Sequence, residues 1–176
     1  MFERLAPFLQ DYIYNNGWEE LRPIQVGACD VIFNTNNNLL ISSGTASGKT
    51  EAAFFPILTD VYENSDFSSI DILYISPLKA LINDQYERLE ELLKDIDIPI
   101  CKWHGDVSTT KKQSLIKNPK GILQITPESL EALLMRKTKE SKIMFSNLKY
   151  IVIDEIHYFL SEERGIQLRC LLERLQ

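Results

Sequence analysis

Five short apolar runs, separated by longer stretches with helical spacing, constrain the fold more than any other feature of this sequence. They are NLLIS (Asn38 to Ser42), DILYIS (Asp71 to Ser76), IPICKW (Ile98 to Trp103), GILQIT (Gly121 to Thr126) and YIVID (Tyr150 to Asp154). Each is apolar and often β-branched with little alternation, as expected of strands covered on both faces of a parallel sheet. Between them, PLKALINDQYERLEELLKD sets Leu78, Leu81, Ile82, Leu89, Leu92 and Leu93 at helical intervals with charged residues opposite. TPESLEALLMRK and GIQLRCLLERLQ repeat that pattern. Strand and helix in alternation predict a three-layer α/β domain that holds ligands at the carboxyl ends of its strands. NTNNN (Asn34 to Asn38) and ENSDFSS (Glu63 to Ser69) read as surface turns, and KTKESK (Lys137 to Lys142) as a solvated charged loop.

The first run leads into SGTASGKT, which nearly fits the phosphate-loop pattern G-x-x-x-x-G-K-[ST]. Counting back from Lys49, the pattern wants glycine where Ser43 stands, and Gly44 comes one residue late. The context is right, because NLLIS reads as a strand, the small residues as a turn, and KTEAAFFPILTDVY as the start of a helix. In such a loop the backbone N–H groups of Ser43, Gly44, Thr45, Ala46, Ser47 and Gly48 and the helix N-terminus surround phosphate. Gly48 permits close approach, Lys49 reaches the β and γ phosphates, and the Thr50 hydroxyl is a ligand for Mg²⁺. Serine is tolerated at position 43 provided that its backbone is not left-handed. Alone, the three residues GKT are equally compatible with a solvent loop.

YIVIDEIHYFL supplies the second half. Apolar residues lead straight into Asp154 and Glu155, so two carboxylates stand at the exit of a strand. The expected roles are Mg²⁺ ligand, through water, for Asp154, and orientation and deprotonation of the attacking water for Glu155. His157, two residues on, is near enough to sense the same phosphate.

SGTASGKT resembles motif I and DEIH motif II of the superfamily 2 DEAD/DEAH-type helicases. Further blocks agree in order: LRPIQ resembles the glutamine motif, YISPLKAL motif Ia, WHGD the block after it, and ITPESL motif Ib. SPLKAL, TPESLEALL and RGIQLRCLLERL look most like the Lhr-like (large helicase-related) branch, with helicases carrying a DUF1998-type region as close competitors. The resemblance runs from about Trp18 to the end, and Ser43 and Ala46 are mild departures from it. It implies a RecA-like P-loop NTPase fold with a mainly parallel sheet, ATP and Mg²⁺ as cofactors, and DNA or RNA as partner. It implies that Gln25 reads the adenine edge, for which an amide offers one donor and one acceptor. Trp18 is either a base-stacking residue or a core anchor. For nucleic acid it implies Pro77, Leu78 and Lys79, then His104 and Gly105, then Thr126, Pro127 and Glu128. Of these, Lys79 and the helix start after Thr126 are suited to phosphate, whereas Glu128 is better suited to capping backbone donors. His104 is either a contact or a turn residue satisfied by its neighbours.

With 176 residues the chain is long enough for one ordinary core, here read as a single RecA-like domain over 1–176 with a helical extension over 1–17. The net charge of −6 argues against non-specific nucleic-acid affinity over the whole surface. No apolar run approaches the roughly 20 residues needed to span a bilayer, so membrane residence is not expected and a cytoplasmic location follows. Cys29, Cys101 and Cys170 are scattered, which speaks against a disulfide framework or zinc site. The family's motif III and second RecA-like domain, with its arginines, are not in this sequence, so a monomeric, nearly inactive motor half is expected. A small nucleotide kinase is disfavoured by DEIH and the scattered arginines; a nucleotide-gated binding module without hydrolysis stays open.

Overall fold

The expected alternation is largely met in a computed structural model, which describes residues 1–44 and 47–175. Thr45 and Ala46, both named as phosphate-loop residues, and Gln176 lie outside the described residues. The chain forms two compact units, Met1–Ser65 and Asp66–Gln176.

The first unit is helical: a 3₁₀ turn at Phe2–Arg4, then α1 (Pro7–Asn15), α2 (Pro23–Asn34) and α3 (Lys49–Asn64). Pro7 and Pro23 open their helices, where a missing N–H leaves no intrahelical bond unmade. Helices α2 and α3 pack together, and Leu9, Ile13, Ala28, Cys29, Phe54, Phe55, Leu58 and Val61 are buried. The Thr59 hydroxyl accepts from Ala6 N at 3.1 Å and donates to Phe55 O at 2.8 Å, tying the start of α1 to α3. Trp18, half-buried, lies edge-on to Tyr12 and beside Phe55, each ring 6.1 Å away, as a core anchor does. The strand expected at residues 38–42 is not formed. Residues 35–44 carry no regular structure and Leu40 is 72% exposed. A strand exists only through ladder bonds to a neighbour, and no other strand stands among the described residues of this unit.

The second unit holds a four-stranded parallel sheet of β1 (Ile70–Ile75), β2 (Ile100–Trp103), β3 (Gly121–Ile125) and β4 (Tyr150–Ile153), in the order β2-β3-β1-β4. Helix α4 (Lys79–Leu92) connects β1 to β2, and α5 (Thr109–Lys117) connects β2 to β3. Helices α6 (Pro127–Arg136) and α7 (Thr138–Met144) precede β4, and α8 (Glu162–Leu175) follows it. The order explains an uneven burial. Central β1 and β3 are buried throughout, whereas edge strands β2 and β4 are half-buried and Ile151 is 38% exposed, against the expectation that every run is covered on both faces.

KTKESK is a second difference: most of it lies in α7 rather than in a loop. The Thr138 hydroxyl bonds Leu134 O, and the buried Ser141, Met144 and Phe145 draw the segment inward. Those apolar anchors lie at its C-terminal edge, where a reading of charge alone does not weigh them. Among the described residues, no helix is long and apolar enough to cross a membrane.

Candidate nucleotide and nucleic-acid site

In the first unit the described phosphate-loop residues gather around the N-terminus of α3. Gly48 is its N-cap, with φ 87° in the left-handed region that glycine enters at no steric cost. A Cβ there would stand 2.8 Å from Gln25 Nε2, so the position has no room for a side chain. Lys49 begins the helix and its Nζ donates to Ser43 O at 2.8 Å and Gly44 O at 2.9 Å, folding the ammonium back over the loop. Ser43 is not left-handed. Its hydroxyl instead meets that of Ser47 at 2.5 Å, closing the loop where the strict pattern has glycine. Thr50 follows in the first turn of α3.

Gln25 sits three residues into α2, fully buried. Its Oε1 accepts from Arg22 N at 2.9 Å, which fixes the amide, while Nε2 has no hydrogen-bond partner among the described residues. A buried amide donor without a partner is costly, and such groups mark places where a ligand or water completes the bonding.

In the second unit the register does the assembling. Trp103 is level with Ile125, Ile125 with Ile75, and Ile75 with Ile153. The residues that follow this row are His104, Thr126, Ser76 and Asp154, so four of the motifs read from the sequence emerge along one carboxyl edge. The ladder continues one step past the strands, with Ser76 N donating to Ile125 O and Asp154 N to Ile75 O.

Asp154 is held through both oxygens: Oδ1 accepts from Glu155 N at 2.9 Å and Oδ2 from the Tyr74 hydroxyl at 2.5 Å. Glu155 has φ 48° and ψ 49°, left-handed although not glycine, and Oε2 lies 3.1 Å from His157 Nδ1. The His157 side chain is mostly exposed. A non-glycine residue in this region costs about 1–3 kcal/mol and collects at functional sites. Burial, then the Asp154 charge, push the Tyr74 phenol well above its ordinary pKa, so it keeps its proton and donates.

Lys79, at the start of α4, reaches the WHGD loop: Nζ lies 3.1 Å from Asp106 Oδ1, and a Cβ on Gly105 would stand 3.2 Å from it. Pro77 is buried and Leu78 is 43% exposed. His104 is buried, with Nδ1 3.8 Å from Asp106 Oδ2, and burial lowers its pKa despite that carboxylate. Thr126 caps α6 by accepting from Ser129 N, and Pro127 follows at the first helical position. Glu128 was expected to cap backbone donors. It instead pairs with Arg164 of α8 at 3.1 Å, because the shorter Thr126 already occupies the cap.

The residues fit the implied ligands. In the first unit, lysine, helix N-terminus and a buried amide without a partner among the described residues suit a purine nucleotide polyphosphate; in the second, the hard carboxylate oxygens of Asp154 suit Mg²⁺. Among the described residues, no group of three or more acidic, histidine or cysteine side chains converges on a metal position. Cys29 is buried, its thiol pushed up to about 11 by burial, and Cys101 is half-buried.

A family model for DEAD/DEAH box helicases matches residues 22–176. The chain belongs to that family. The ATP-dependent helicase Lhr-Core of Methanothermobacter thermautotrophicus is 36% identical over 154 residues, covering 79% of this chain and 18% of that protein. The solved DUF1998 helicase MrfA, bound to DNA and AMPPNP, superposes with a TM-score of 0.87 at 27% identity over 99% of this chain and 25% of its own. Mycobacterium smegmatis helicase Lhr, bound to ssDNA and AMP-PNP, gives 0.81 at 28% identity over 98% and 23%. This DEAD/DEAH box chain therefore has the RecA-like α/β fold and stands with the Lhr-like branch, as its motifs implied. It spans about a fifth of the length of the curated Lhr-Core relatives it matches.

Within the family's motifs, sequence reasoning passed over Tyr74. The signal is a hydroxyl-bearing residue two places before Ser76 in a strand that is otherwise apolar after Asp71, level with Val152 of β4.

Proposed function

We propose that residues 1–176 form one RecA-like domain, with 1–17 a helical extension, and that it is the ATP-binding motor half of a cytoplasmic helicase or translocase. The observation that carries this reading is the α3 N-terminus, where left-handed Gly48, Lys49 over the loop carbonyls and the Gln25 amide, unpartnered among the described residues, meet. Lys49 neutralises β- and γ-phosphate charge, and the loop from Ser43 to Gly48 donates backbone N–H groups. Gln25 favours adenine. Thr50 and Asp154 hold Mg²⁺, which when bound offsets charge on the transferring phosphoryl group. Glu155 orients the attacking water and takes its proton, and His157 is placed by Glu155 to follow the phosphate. A purely binding module has no use for the backbone strain at Glu155, which favours hydrolysis. Pro77 to Lys79, His104, Gly105 and Thr126 to Glu128 line the track for one strand of DNA or RNA, as the ligands in the MrfA and Lhr structures suggest.

Full activity needs arginines from a second RecA-like domain, which in comparable phosphoryl-transfer sites are worth roughly 10³ to 10⁵ in rate. Relatives about five times as long support that division of labour. The test is steady-state ATPase of this chain, with and without single-stranded DNA or RNA, beside a longer protein carrying both domains. Monomeric chain with barely measurable, unstimulated turnover is expected. Strong nucleic-acid-stimulated turnover by this chain alone contradicts the motor-half reading.

A further inference from the structure

The Asp154 carboxylate is fixed by donors from two directions. One is local, the N–H of Glu155 on Oδ1. The other comes from 80 residues away, the phenol of Tyr74 on Oδ2. Tyr74 is 3% exposed and lies on central β1, level with Gln124 on one side and Val152 on the other. The same ladder holds Asp154 N on Ile75 O, so the phenol's reach to the carboxylate is set by strand register rather than by a loop. Two donors on the two oxygens stop rotation of the carboxylate about its terminal bond. Each oxygen keeps a lone pair, and their directions are thereby fixed.

We propose that Tyr74 is a positioning residue for Asp154, orienting the carboxylate toward a hydrated divalent cation through a strand-to-strand hydrogen bond. The inference rests on Asp154 being the Mg²⁺ ligand. Partners of this kind, which touch the ligand and not the metal, typically change metal affinity 10–100-fold when removed. Tyr74→Phe removes the hydroxyl and leaves the ring that fills the sheet.

The experiment is equilibrium binding of a fluorescent ATP analogue to this chain in excess Mg²⁺ and in EDTA, for wild type, Tyr74→Phe, Asp154→Asn and the double variant. The ratio of the two affinities isolates the metal's contribution, because a general folding defect lowers both alike. Tyr74→Phe is expected to reduce that ratio about tenfold, with the EDTA affinity unchanged, and to add nothing in the Asp154→Asn background. An unchanged ratio in Tyr74→Phe overturns the proposal, as does an equal reduction in the Asp154→Asn background. A wild-type ratio of one removes the Asp154 reading itself, and this inference with it.

Discussion

Each unit has one left-handed residue set just before a helical turn, and the two units choose opposite chemistries for it. Before α3 it is Gly48, with φ 87°. After β4 it is Glu155, with φ 48°, leading into the 3₁₀ turn Ile156–Phe159. The difference follows from what each turn must present. At the loop the backbone itself is the binding surface, so the residue with no side chain is both the least strained and the most useful. At the strand end the side chain is the working group. A carboxylate must therefore be kept in a conformation that costs about 1–3 kcal/mol. What offsets that cost is rigid support: a paired ladder, a buried phenol on Asp154 and the His157 contact.

The sharpest way to break the comparison is at Glu155. Glu155→Gln keeps shape and strain but removes the base, so in a longer protein carrying both RecA-like domains hydrolysis should slow by about 10² to 10⁴, with ATP affinity held. Glu155→Gly should lose the same activity yet unfold at higher urea, gaining about 1 kcal/mol from relief of the left-handed backbone. A Glu155→Gly chain no more stable than wild type means that the strain is not there. The loop should respond in the reverse sense. Gly48→Ala adds a Cβ 2.8 Å from Gln25 Nε2 in left-handed backbone, and urea unfolding should show a loss of about 1–2 kcal/mol. Smallest of all, Ser43→Gly restores the strict loop pattern at a residue that is not left-handed, so stability should move by no more than about 0.5 kcal/mol.

What the sequence made legible follows the same division. Backbone-defined features were open to reading: DILYIS and GILQIT are fully buried strands because nothing but a central sheet position suits them, and Thr126 with Pro127 marks a helix start. Gly48 and Lys49 are legible from their spacing together with the DEIH block downstream. Features that depend on distant partners were not. NLLIS has strand composition, yet residues 38–42 make no ladder, and composition says nothing about the availability of a neighbour. KTKESK was judged by its charge, while the burial of Met144 and Phe145 beyond it decides its helix. Tyr74 reaches Asp154 across a register that exists only after β1 and β4 have paired. Arg164 captures Glu128 from a helix that begins 26 residues after the end of its own.

The central claim is that the turn before α3 grips nucleotide phosphate, with Lys49 supplying the charge. Its most direct measurement is equilibrium binding of a fluorescent ATP analogue, in excess Mg²⁺, to wild type and to Lys49→Ala. Loss of a charge-assisted contact to phosphate, worth about 1.5–3 kcal/mol, predicts affinity weakened roughly tenfold or more, with thermal unfolding of the two chains nearly the same. Equal affinity in wild type and Lys49→Ala contradicts the phosphate-loop assignment.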